Sequence, residues 1–155
     1  MKFVFLFLGK TRNRYLDAGI RDYADRLARY AGVELVVLRE KHGHRGTDEQ
    51  ILLQDAEQLL ARTPRGAMVV ALDPSGRQPD SEELAQLVAD WQERGRRQVC
   101  FLIGGHLGLH NRVLERADLV LSLSRLTFTH EMARLILLEQ LYRAWTIRAG
   151  HNYHR

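Results

Sequence analysis

The chain has 155 residues, of which 45% are hydrophobic and 27% charged, with 23 basic and 19 acidic side chains for a net charge of +4. That length suits one domain with one core, and the composition excludes a disordered chain. The charge excess is too small to establish a nucleic-acid partner by itself. Its distribution is more informative: no acidic residue follows Glu139, whereas Arg143, Arg148 and Arg155 do, with His151 and His154. The lone cysteine, Cys100, excludes a disulfide framework within one chain and fits a reduced compartment. Inside the apolar run Val99 to Ile103 it reads as a small buried residue. The run Phe3 to Leu8 is too short for a signal-peptide core, and no stretch approaches a membrane span. The expectation is a soluble cytoplasmic protein with no membrane partner.

Phe3 to Leu8 is continuous, aromatic and branched, which predicts a buried strand. From Asn13 to Ala31, apolar residues at Leu16, Ile20, Tyr23, Leu27 and Tyr30 make one helical face, which Gly32 should end. Val33 to Leu38 is a second strand, and Lys41 to Gly46 a loop. Asp48 can cap a helix to about Arg62. Ala67 to Leu72 is a third strand, and Asp73-Pro74-Ser75-Gly76 a turn. Asp80 with Glu83 opens a helix to about Arg94. Val99 to Ile103 is a fourth strand, followed by Gly104-Gly105-His106-Leu107-Gly108. A short helix at Asn111 to Arg116 leads to a fifth strand, Leu119 to Leu123, and the last helix runs from about Glu131 to Ile147. Apolar strands alternating with helices predict an α/β domain: a mostly parallel sheet with helices on both faces.

Ligands of such sheets bind beyond the carboxyl ends of strands. That puts Leu72-Asp73, Gly104-Gly105 and Leu123 to Phe128 on one rim. Glycines after a strand allow close backbone approach to a ligand, although a tight turn needs them equally. They follow the fourth strand here, which disfavours a dinucleotide fingerprint, whose glycines follow the first. The segment Leu123, Ser124, Arg125, Leu126, Thr127, Phe128 could hold an adenine by apolar contact and backbone hydrogen bonds. It also connects to the final helix, with Thr129 as its cap. Leu135, Leu138, Tyr142 and Trp145 share one face of that helix and suit a core or dimer contact. Glu139 and Arg143 have the spacing of a surface ion pair. The tail His151 to Arg155 suits either a frayed end or stacking on an unpaired nucleotide. The pairs His42 with His44 and His151 with His154 lack cysteine or carboxylate company, so no metal is expected.

Leu72-Asp73, FLIGGHLGL, LSLSRLTFTH, EQLYRAW and the terminal YHR occur in this order along the whole chain. Together they closely resemble the ribosomal large-subunit pseudouridine N3-methyltransferase family of the SPOUT superfamily. The resemblance implies a single domain with a C-terminal trefoil knot and a functional tail at 148–155. It implies a homodimer that uses S-adenosylmethionine, without a metal, to methylate N3 of a pseudouridine in 23S ribosomal RNA on assembled ribosomes. Cofactor contacts carry over to Leu72, Gly104, Gly105 and Leu123 to Phe128. His130, Tyr153, His154 and Arg155 carry over as substrate contacts. The catalytic set comprises His154, Glu139, Arg143, Tyr142 and Arg155. His154 is the candidate base and Glu139 the second; Arg143 or Arg155 would stabilise a uracil anion. The chain departs from the family pattern at His106 and Leu107 after the glycine pair, and at Thr129 before the histidine.

Two other classes fit parts of the pattern. One is a non-catalytic RNA-binding or ribosome-assembly module of the same fold, against which tight cofactor binding would count. The other is a small nucleotide-dependent dehydrogenase, which the position of the glycine pair disfavours.

Overall fold

A computed structural model describes residues 1–41 and 45–154 of the chain. Arg155 and the pair His42 and His44 lie outside the described residues. Five strands, β1 (Lys2–Leu8), β2 (Gly32–Leu38), β3 (Met68–Arg77), β4 (Gln98–Ile103) and β5 (Leu119–Leu121), form one sheet in the order β2-β1-β4-β3-β5. Every pair is parallel, and β1 faces β4 with Phe5 opposite Phe101. The helices are α1 (Arg14–Leu27), α2 (Asp48–Arg62), α3 (Ser81–Glu93), α4 (Asn111–Arg116) and α5 (His130–Arg148), followed by a 3-10 turn at Asn152–His154.

The strand period of two divides the core. Phe3, Phe5 and Phe7 point to one face with Phe101 and meet α1, α3 and α5 through Leu27, Val88 and Leu141. Val4, Leu6 and Leu8 point to the other with Cys100 and Leu102, and meet α2 and α4 through Leu59 and Val113. Fully buried side chains of this size each contribute about 1.5–3 kcal/mol. A continuous apolar run is therefore what a strand covered on both faces requires. Cys100 is fully buried, and burial pushes its thiol up to about 12.

Local chemistry moves several boundaries. α1 stops at Leu27 rather than Ala31, because Tyr30 and Ala31 both donate to the Leu27 carbonyl and turn the chain into β2 at Gly32. Thr47, not Asp48, caps α2: its hydroxyl accepts from the Gln50 N–H, and the Gln50 carboxamide accepts from the Thr47 N–H. The expected turn Asp73 to Gly76 instead lies within β3. Leu72 and Arg77 both pair with Leu121, so the residues between them bulge out, and Asp73 Oδ2 accepts from the Ser75 N–H at 2.9 Å. β5 ends at Leu121 instead of Leu123; the Ser122 N–H still reaches the Arg77 carbonyl before the chain leaves the sheet. Asp80 with Glu83 caps α3, and Thr129 caps α5 by accepting from the Met132 N–H. Among the described residues no helix is long and apolar enough to cross a membrane.

Candidate active site

A cavity of about 920 Å³ opens at the carboxyl ends of β4 and β5, beside the bulge of β3. Its volume suits a nucleoside-sized ligand. The β3 bulge contributes Leu72, Asp73 and Pro74; the segment after β4 contributes Gly104 to Leu109. Leu123, Ser124, Leu126, Thr127 and Phe128 form another wall, and His130 and Glu131 come from the first turn of α5. Every sequence-predicted cofactor residue except Arg125 lines this space. Asn13 and Leu16, which no sequence pattern assigned to the cavity, reach it from the far end of the chain.

The two glycines after β4 differ in purpose. A Cβ on Gly104 would overlap the carbonyl of Gly108, so this glycine lets the loop close on itself. At Gly105 a Cβ would meet, among the described residues, Glu40 Oε1 alone at 3.9 Å, which leaves room for a ligand to approach the backbone. Hydroxyls fix the opposite wall. Ser122 Oγ accepts from Gln78 Nε2 at 3.0 Å and donates to the Ser124 carbonyl at 3.1 Å. Ser124 Oγ accepts from the Leu126 N–H at 2.9 Å. Leu126 is nevertheless 74% exposed, an apolar side chain held at the mouth.

The first turns of α5 join this wall to the start of the chain. Glu131 Oε1 accepts from the Asn13 N–H at 3.0 Å. Arg134 is fully buried; its guanidinium donates to the Leu8 carbonyl at 2.7 Å and to Thr11 Oγ1 at 2.9 Å, and lies 4.6 Å from the Phe7 ring centre. Its Nε has no partner among the described residues. Burial lowers the pKa of His130, and the positive charge of Arg134 lowers it further. The imidazole at the cavity edge is therefore biased towards its neutral form.

The remaining sequence-predicted residues gather elsewhere. Glu139 Oε1 accepts from Arg143 at 2.5 Å and from the Tyr153 hydroxyl at 3.1 Å; Glu139 Oε2 accepts from Gln140 at 2.8 Å. The Tyr153 hydroxyl also meets that of Tyr23 at 2.9 Å, and its ring packs edge-on against Tyr142. Arg143 lies 4.9 Å from the Tyr153 ring centre. Burial and the bond to Tyr23 push the Tyr153 phenol up, so it stays protonated. His154 Nδ1 lies 2.9 Å from the His151 carbonyl. A carbonyl only accepts, so Nδ1 carries the proton and Nε2 of the neutral ring presents a lone pair. None of Glu139, Tyr142, Arg143, Tyr153 or His154 lines the cavity of its own chain. Glu139 lies nine residues beyond His130 on α5, about 13 Å along the axis. Among the described residues no group of three or more histidine, cysteine or carboxylate side chains is placed to hold a metal.

A family model described as a predicted SPOUT methyltransferase matches residues 1–154. The chain belongs to the SPOUT methyltransferases, and within them to the family named ribosomal RNA large subunit methyltransferase H. The family member from Desulfotalea psychrophila is 49% identical over 158 residues, covering 100% of both chains. That from Acetivibrio thermocellus is 38% identical over 159 residues, again covering 100% of both. A solved structure of a probable methylase family protein from Haemophilus influenzae shares the fold at a TM-score of 0.54 and 14% identity, over 99% of this chain and 70% of that one.

Proposed function

We propose that the chain transfers a methyl group from S-adenosylmethionine to N3 of a pseudouridine in 23S ribosomal RNA. The proposed working form is a homodimer in the cytoplasm, with the tail of one subunit serving the cavity of the other. The observation that carries this reading is the cavity itself, built where the β3 bulge meets the carboxyl ends of β4 and β5 and walled by leucines, a phenylalanine and backbone. The names of the full-length relatives support ribosomal RNA as the substrate. The strand order, with β5 beyond β3, fits the trefoil knot that belongs to the same reading.

The cavity residues fit the methyl donor. Open space at Gly105 admits close backbone approach, and Leu72, Leu123, Leu126 and Phe128 offer apolar contact to an adenine. When bound, S-adenosylmethionine supplies an electrophilic methyl group on a sulfonium. The chain must orient the uracil ring and remove the N3 proton so that the nitrogen lone pair can attack. His154 is suited to take that proton at Nε2, because its Nδ1 is committed to the His151 carbonyl. Glu139 is engaged by Arg143, Gln140 and Tyr153, which makes it a holder of the cluster rather than the base. Arg143, with Arg155 at the chain end, would stabilise negative charge on the ring oxygens. A tail docked beside its own α1 and α5, and away from its own cavity, favours a site shared between subunits. Residues 148–155 would then be the functional tail of a single domain spanning 1–155.

Mass spectrometry of 23S ribosomal RNA from a strain lacking the chain tests the substrate: one methylated pseudouridine should lose 14 Da. An unchanged RNA would refute the reading. Single-turnover methylation across pH tests the base. His154→Ala should lose the rate and its pH dependence, while Glu139→Gln should keep the shape of the profile.

A further inference from the structure

We propose that the turn between β1 and α1 is a rigid RNA-binding lip of the cavity. In it, Lys10, Arg12 and Arg14 bind backbone phosphates beside the target nucleotide, and the ring of Tyr15 stacks on an unpaired base. The proposal rests on ribosomal RNA being the substrate and adds a contact that the catalytic and cofactor residues do not include.

Three observations carry it. First, Tyr15 is 89% exposed, next to two residues, Asn13 and Leu16, that line the cavity. An aromatic ring held in water beside a mouth that also presents Leu126 offers a π-face to a base. Second, Lys10, Arg12 and Arg14 make no ion pair among the described residues, although Arg21 and Arg26 on the same helix pair with Asp17 and Asp22. Arg12 and Arg14 flank the Asn13 cap, where the helix end is itself positive, so their charges oppose the local field. Phosphates would relieve that opposition. Third, the lip is fixed. Arg134 holds Leu8 and Thr11, Glu131 holds the Asn13 N–H, and Asn13 Oδ1 accepts from the N–H groups of Tyr15 and Leu16 at 3.0 and 3.1 Å. A pre-ordered lip loses little conformational freedom when RNA binds. The same anchors tie it to α5, which follows directly from the cavity wall Leu123 to Phe128.

The test uses the full-length protein, labelled S-adenosylmethionine and ribosomes purified from a strain lacking the chain. Tyr15→Ala should raise KM for ribosomes about tenfold, the loss expected for one stacked base, with kcat within about twofold. Tyr15→Trp should restore the wild-type KM. Replacing Lys10, Arg12 and Arg14 together by Ala should reduce the slope of log(kcat/KM) against log salt by about 2. Calorimetry should give unchanged affinity for S-adenosylhomocysteine in every variant. Wild-type kinetics in both sets of variants, with the wild type active, would overturn the lip alone. Dissociation of a dimer by Tyr15→Ala in light scattering would overturn it too, by making the ring a subunit contact. A wild-type protein that methylates no ribosomal RNA would remove the substrate reading and the lip with it.

Discussion

Arg134 donates to the carbonyl oxygen of Leu8 at 2.7 Å, binding α5 to the last residue of β1. The guanidinium is fully buried, and its interactions with Glu131 and Glu40 act through space rather than as ion pairs within 4.0 Å. Removing it leaves a buried carbonyl without this donor and opens a cavity beside Phe7. Arg134→Ala should therefore cost about 3 kcal/mol of stability. Arg134→Met, which refills the volume without a charge, should cost less. Urea unfolding of the two variants checks the order, and equal losses would contradict it.

His151 and Tyr153 are tied to α1, α5 and Tyr30 by hydrogen bonds. Truncation after Gly150 removes the bonds from Tyr153 to Tyr23 and Glu139 and from His151 to Tyr30, and should cost about 1–2 kcal/mol. Cofactor affinity should be retained, because these residues lie off the cavity. Methyl transfer to ribosomes should fall by orders of magnitude. Calorimetry, unfolding and activity on the same preparation separate the three effects.

A mixed dimer tests whether the site is shared. Gly105→Val puts a side chain into open cavity space and should block S-adenosylhomocysteine without disturbing the loop. Gly104→Val would instead collide with Gly108 and damage the loop itself. Subunits truncated after Gly150, mixed with full-length Gly105→Val subunits, should recover one working site per dimer. Heterodimers confirmed by native mass spectrometry yet inactive would show that each tail serves its own chain.

His130 gives the site an acid limit. Burial and then Arg134 lower its pKa most; Glu131 raises it by less than either, and His106 and Glu40 add smaller effects of opposite sign. A depressed histidine pKa favours the neutral ring in the folded state. Its contribution is present above the unfolded value of about 6.5 and is lost as pH falls through the folded one. His130→Gln should therefore flatten the fall in stability as pH drops below about 6.5. Urea midpoints measured across that range give the two slopes, and parallel slopes would contradict the assignment.

Cys100 should be inert. Its thiol is fully buried and pushed up to about 12, so almost no thiolate forms at neutral pH. Iodoacetamide should label it only at the rate of unfolding, as mass spectrometry over hours would record.

The strands β1 and β4 were legible because unbroken apolar runs leave little alternative to a doubly covered strand. α4 was legible to the residue, and the caps at Asp80 and Thr129 rested on local chemistry that sequence displays. The bulge in β3 was not. Pro74 and Gly76 carry a turn signature, and only the distant Leu121, pairing on both sides of them, shows that the strand resumes. Arg134 follows His130 by one helical turn, so their shared face was readable, but an arginine on a helix reads as solvated until its burial is seen. Glu139 and Arg143 had the spacing of an exposed pair. Their partial burial depends on Tyr153, which no periodicity places against them. Asn13 and Leu16 went unrecognised for the same reason: their approach to the cavity is made by tertiary contacts of α5.

The parallel pairing of β1 with β4 also sets a schedule for the newborn chain. β1 leaves the ribosome first, yet its inner partner follows roughly ninety residues later, after β2 and β3 have been made. At ~10 residues per second the strand waits on the order of 10 s with one edge open. During that interval Phe3 to Leu8 is a bare, chargeless β-edge of the kind that recruits wrong partners. Slowing synthesis before Gln98 would lengthen that interval.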